Sequence, residues 1–264
     1  MIQRPHQSFA ASLWRLVKVA VGAGLLLLRA GAFDLEHPEF AKVLGKFVSG
    51  GLVDYQGLKA APQDLDEYLD QLAGVSREQF EIWPERDRLA FLINLYNATT
   101  LKLITDNYPV KGIRSIGGFF SSPWKQRVVH IWGENLSLDD VEHTLIRARF
   151  KEPRIHFALV CAARSCPPLR AEPYTGSRLA VQLDDQGRQF FAQPLKNRLD
   201  TTNKVLWLSP IFRWFEGDFT SPQTNLVRFV SHYLPITGAG TNRLVELKIK
   251  YTEYDWSLNE QPRR

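Results

Sequence analysis

From Pro84 to Asn107 the chain places Leu89, Phe91, Leu92, Ile93, Leu95, Tyr96, Leu101, Leu103 and Ile104 on nearly every side of a helical wheel. A helix apolar on most sides is stable only when it is surrounded, so the remaining segments must wrap it. Phe33 to Val48 reads as an amphipathic helix stopped by Ser49-Gly50-Gly51, and Pro62 opens a second one with Leu65, Tyr68, Leu69 and Leu72 on its inner face. Between them, Leu52 to Tyr55 is a short extended piece. After Tyr108-Pro109 the period changes: Ile113 to Ile116 and Val128 to Trp132 read as strands, the latter ended by Gly133-Glu134-Asn135. Ser137 followed by Asp140 is a variant of the capping box, so a helix is expected there with Val141, Leu145 and Ile146 inward. Arg154 to Cys161 is an apolar run of strand length, expected to be covered on both faces. Further along, Ser177 to Phe191 and Leu226 to Tyr233 read as helices, Val205 to Leu208 and Leu244 to Lys250 as strands. The expected fold is a single-domain α+β arrangement: a central apolar helix packed on a mostly antiparallel sheet, with additional amphipathic helices.

The N-terminus reads differently. Arg4, Arg15 and Lys18 precede the apolar run Val19 to Leu28, and Arg29 precedes the small residues Ala30-Gly31-Ala32. That order predicts an export signal over residues 1–32, cut after Ala32, and a periplasmic or secreted destination. The run is about half the roughly 20 residues a membrane-spanning helix needs, so membrane contact is expected only through an uncleaved leader. Without the four basic charges of that segment, the chain's net charge of +5 falls to +1. A nearly neutral body gives no electrostatic basis for binding nucleic acid.

Four segments carry a resemblance. Arg88 to Ala98, Ser137 to His143, Arg154 to Leu169 and Tyr254 to Asn259, in that order, resemble domain-of-unknown-function family 547. The likeness runs from about residue 33 to 259, leaving 260–264 as a tail. It implies exported bacterial proteins and plant relatives, and no reaction.

The chemistry therefore rests on the residues. Cys161 and Cys166 are the only thiols in the chain, and in an oxidising compartment two nearby cysteines are expected to bond. The competing expectation is a thiol nucleophile, which needs an imidazole or a positive neighbour to ionise. On this reading Cys166 is the nucleophile, His156 its base, and Glu142 and Asn94 orienting groups, with Cys161, His143 and Asn97 as alternates. In a regular strand His156 and Cys161 would point to opposite faces, which favours Cys166 beyond the turn. Asn94 and Asn97, on one side of the central helix, have a simpler reading as partners of buried backbone. Glu142-His143 reads equally as a solvated pair, Arg147 and Arg149 as a solvated face, and Phe212 to Phe215 as core in preference to a ligand platform.

Redox spacing is a poor match, because four residues separate the cysteines and no Cys-x-x-Cys exists. No metal-ligand spacing or phosphate loop appears, and no cofactor is expected. Two classes of function follow: a thiol hydrolase or acyl transferase acting on an unknown envelope substrate, and a non-catalytic binding or scaffold domain with Cys161 and Cys166 in a structural disulfide.

Overall fold

The computed structural model describes residues 33–117, 122–221, 224–234 and 247–262, and from Leu35 onward they belong to one compact unit. The export segment read at 1–32 lies outside the described residues. Helix α1 (Pro38–Phe47) leads into the two-residue strands β1 (Val48–Ser49) and β2 (Leu52–Val53), then α2 (Tyr55–Ala60), α3 (Gln63–Ala73), α4 (Arg77–Glu81) and the long α5 (Glu85–Asn107). Every residue of α5 from Leu89 to Leu101 is buried, as an all-round apolar helix requires. It is enclosed chiefly by α2, α3 and a helix at 140–147, with strand β3 (Val129–Ile131) against it as well. Helices thus supply most of the wall around the centre.

Strand β3 pairs antiparallel with β4 (Glu134–Leu136). Trp132 and Gly133 between them both hold positive φ, 56° and 72°, the geometry of a two-residue hairpin turn. The capping box forms in both directions. Ser137 Oγ accepts from Asp140 N at 3.1 Å, and Asp140 Oδ2 accepts from Ser137 N at 2.9 Å. It launches α6 (Asp140–Arg147), which is wound as a π-helix. This wide winding is frequent at functional sites.

A second core gathers Phe157, Phe190, Phe191, Leu206, Phe212 and Phe219. It is built by the one-turn α7 (Ile155–Ala158), α8 (Leu179–Phe191), β5 (Arg198–Asp200), β6 (Val205–Leu208), α9 (Ile211–Trp214), α10 (Glu216–Phe219), α11 (Leu226–Val230) and β7 (Lys248–Tyr251). Strand β6 is antiparallel to β5 and parallel to β7. The α+β expectation holds, with the strands divided among three small sheets.

Two local expectations are corrected. Ile113–Ser115 is a 3₁₀ turn in place of a strand. Residues 154–161 are not a strand either: Ile155–Ala158 form the one-turn α7, and the chain becomes extended only at Leu159. A continuous apolar run satisfies a buried helical turn as well as a buried strand. The inference that His156 and Cys161 point apart fails with the strand it assumed.

Candidate active site

The segment after α7 is held from two sides. From α5, Asn97 clamps its backbone: Nδ2 donates to Ala158 O at 2.9 Å and Oδ1 accepts from Val160 N at 3.0 Å. Ala162 then takes a left-handed φ of 60°, which turns the chain between the two cysteines. From the other side runs the C-terminal segment, with Asn259 N donating to Ala162 O, Arg164 N to Ser257 O and Ser165 N to Asp255 O. Those bonds carry Tyr254 and Trp256 to the cysteine turn.

Cys161 and Cys166 are joined by a disulfide, their Cα atoms 6.3 Å apart. The bond lies in the wall of a cavity of about 240 Å³, which both sulfur-bearing residues line together with Glu142, His143 and His156. Five of the seven residues singled out from the sequence therefore meet in one place. Asn94 and Asn97 do not line it. Asn94 repeats the clamp farther along, donating to Tyr174 O at 2.7 Å and accepting from Tyr174 N at 2.9 Å. Both carboxamides are buried and committed to backbone groups.

His156 is buried, and its Nε2 lies 2.7 Å from Asp218 Oδ2. Burial pushes its imidazole below the ordinary value, against the pull of Asp218. Hydrogen bonds from His156 and Arg147 hold the Asp218 carboxyl well below the carboxylate range. The consistent state is a neutral imidazole donating Nε2–H to an ionised carboxylate, which leaves Nδ1 as the basic nitrogen. Nδ1 has no hydrogen-bond partner among the described residues. Phe215 stacks on the ring at 4.0 Å between centroids. Arg147 forks onto Asp218, Nε to Oδ2 at 2.6 Å and Nη2 to Oδ1 at 3.0 Å, while its Nη1 meets His143 Nδ1 at 2.8 Å. Arg147 is thus the support of the His156–Asp218 pair and not a solvated side chain.

Two donors reach Cys166 Sγ: the backbone N–H of Cys161 at 3.0 Å and the Tyr254 hydroxyl at 3.3 Å, the hydroxyl lying also 3.4 Å from Cys161 Sγ. Burial raises the Tyr254 phenol, which keeps that donor protonated. In the reduced protein the same pair would stabilise a thiolate at Cys166, since hydrogen bonds to a charged form favour it.

Glu142, on α6, is pushed up to about 7. Desolvation is the main cause, with the charges of Asp139 and Asp218 adding to it; Arg147 and a hydrogen bond with Tyr96 act in the opposite sense. A carboxyl titrating near neutrality is suited to give and take protons. It also makes a stability prediction. The folded state keeps this proton up to about pH 7, whereas a solvated glutamate in the unfolded chain releases it near 4.5. Folded protein therefore binds more protons in that window, and stability falls as pH rises through it. His156 contributes with the opposite slope, because its neutral folded form is favoured as pH rises toward the ordinary histidine value. Comparing wild type with Glu142→Gln at each pH separates the two. In urea denaturation the variant should be more stable near pH 8 by about 3 kcal/mol, and the difference should nearly vanish at about pH 4.5. An equal difference at both pH values would remove Glu142 as the cause.

Several side chains of the cavity escaped the sequence reading. Trp124, Trp214, Tyr254 and Trp256 form an aromatic wall, and Asp218 anchors His156 from 62 residues away. Trp214 falls within the segment read as core, and Tyr254 and Trp256 within the closing segment that carries the resemblance, without a role. Among the described residues no group of three or more His, Cys, Asp or Glu side chains is arranged to hold a metal ion.

Comparison with family models matches residues 80–191 to a family described as a protein of unknown function, DUF547, the family the sequence resembles. That span contains Glu142, His156 and both cysteines, and ends before Asp218, Tyr254 and Trp256. No curated protein and no solved structure matches the chain.

Proposed function

We propose that the cavity is the active site of an exported thiol hydrolase or acyl transferase acting on an amide or ester of the envelope, with Cys166 as nucleophile and the Cys161–Cys166 disulfide as its resting form. One observation carries this reading: Cys166, His156 and Glu142 line a single cavity, with Asp218 bonded to His156 behind it. Nucleophile, oriented base and proton donor are what acyl transfer requires. The destination rests on the leader at 1–32, and a disulfide suits an oxidising compartment.

The chemistry begins with an external dithiol, which reduces the bond and leaves as a disulfide while Cys161 and Cys166 become thiols. The Cys166 proton passes to His156 Nδ1, and Asp218 steadies the resulting imidazolium. The thiolate attacks the carbonyl carbon, a C–S bond forms, the C–O or C–N bond breaks, and Glu142 protonates the departing alcohol or amine. Water, or an acceptor amine or alcohol, then attacks the thioester and gives its proton to the Glu142 carboxylate. Cys166 leaves as thiolate and recovers its proton from His156.

Incubating dithiol-reduced protein with p-nitrophenyl acetate and weighing the intact chain tests this. An acetyl adduct that maps to Cys166, decays on standing and is lost in His156→Ala is expected. A second reading is favoured by the bond itself: a binding or scaffold domain in which the disulfide is purely structural. In that case the reduced protein gives no adduct that depends on His156.

A further inference from the structure

The cavity has a wall of one chemical kind and a charge of one sign. Trp214 and Trp256 are near parallel, with centroids 5.8 Å apart and planes at 21°. Tyr254 lies 4.9 Å from Trp214 and 4.5 Å from Trp256. Trp124 stands edge-on to Trp256 at 5.9 Å. Trp214 is 44% exposed, so the wall reaches the surface. The charged side chains lining the cavity are Asp139 and Glu142, and no Lys or Arg lines it among the described residues. Of the nearby cations, Arg147 is engaged with Asp218, and Arg114 already lies over one face of Trp256 at 5.0 Å, which leaves Trp214, Tyr254 and Trp124 as the rings open to a ligand.

We infer that the cavity takes a cationic group, an alkylammonium or guanidinium, held against the indole and phenol faces with Glu142 and Asp139 as its counter-charges. Aromatic rings present a negative face and attract such cations within about 6 Å of the centroid, more strongly where water is excluded. An anion would meet two carboxylates and no partner. A neutral apolar group would fill the volume and leave Glu142, once ionised, without a counter-charge in the cavity. Resting on the proposed function, this assigns the cation to the acceptor, which meets Glu142 as the carboxylate that takes its proton, as in a diamine or a basic amino-acid side chain.

Binding should be linked to the protonation of Glu142, because a cation beside it favours the carboxylate. The groups that act on Glu142 are Asp139, Arg147, Tyr96 and Asp218, with Tyr254 also in its field and His143 and His156 on the same cavity wall. Glu142 is the member of this set brought near neutrality by its surroundings, so the pH dependence of binding should follow it.

The test uses the full-length, disulfide-bonded protein, which has no free thiol, so its outcome is separate from that of the acyl-adduct experiment. Tryptophan fluorescence is titrated with butylammonium, butan-1-ol and butyrate. Saturable binding of butylammonium about tenfold tighter than butan-1-ol, with no binding of butyrate, is the expected result. Its affinity should rise several-fold from pH 6 to pH 8, and Glu142→Gln should remove that rise while retaining weak binding. Equal affinity for butan-1-ol, binding of butyrate, or an unchanged pH profile in Glu142→Gln would overturn the assignment.

Discussion

Cys166→Ser should lower dithiol-dependent ester turnover by about 10³-fold or more, and Cys161→Ser should instead be active without any dithiol. A serine hydroxyl, with an ordinary acidity far weaker than a thiol's, gains little from the two donors at position 166. Losing Cys161 leaves those donors and His156 in place and removes only the partner that masks the nucleophile. Stability cannot explain the contrast, because either substitution breaks the same crosslink. A loop this short stabilises by roughly 2 kcal/mol in the chain-entropy model, and both variants should lose similar amounts in urea. Turnover of p-nitrophenyl acetate with and without dithiol separates the variants. Equal activity in both would take the nucleophile away from position 166.

Asn97→Ala should destabilise the fold by about 3 kcal/mol. The change strands Ala158 O and Val160 N, both supplied by this side chain alone among the side-chain bonds to that segment. Each orphaned buried backbone group costs about 1–3 kcal/mol, and Asn97 itself is only 3% exposed. The midpoint of urea denaturation reads the effect. A loss below about 1 kcal/mol would mean that the segment does not depend on its clamp. Because residues 158–160 lead directly into Cys161, the variant should also blur any difference in reactivity between the two thiols.

The central helix was legible because thirteen positions in a row with scarcely a polar face leave one solution, burial on all sides. Ser137 and Asp140 announced a helix start for an equally local reason: both halves of a capping box lie within one turn. Nothing local distinguishes a strand from one buried helical turn in Ile155 to Val160, and there the reading failed. The parallel pairing of β6 with β7 joins segments more than forty residues apart, a distance over which hydrophobic pattern carries no pairing information. The same holds within the site. Cys166, His156 and Glu142 drew attention by residue type, whereas Arg147 resembled any solvated arginine until Asp218, 71 residues on, was seen to receive it. Aromatic residues read as core proved to be divided: Phe212 is fully buried, while Trp214 and Phe215 line the cavity.

The central claim is that this cavity activates one sulfur, and the pH dependence of alkylation tests it most directly. Fully reduced protein is pulsed with iodoacetamide across pH 5 to 9, and labelling at Cys161 and Cys166 is quantified by peptide mass. Cys166 should label faster, with an apparent pKa below the ordinary thiol value of about 8.5, and His156→Ala should move it back toward that value. Two cysteines that label at equal rates with ordinary thiol acidity, indifferent to His156, would contradict a catalytic thiol and leave the disulfide as a structural crosslink.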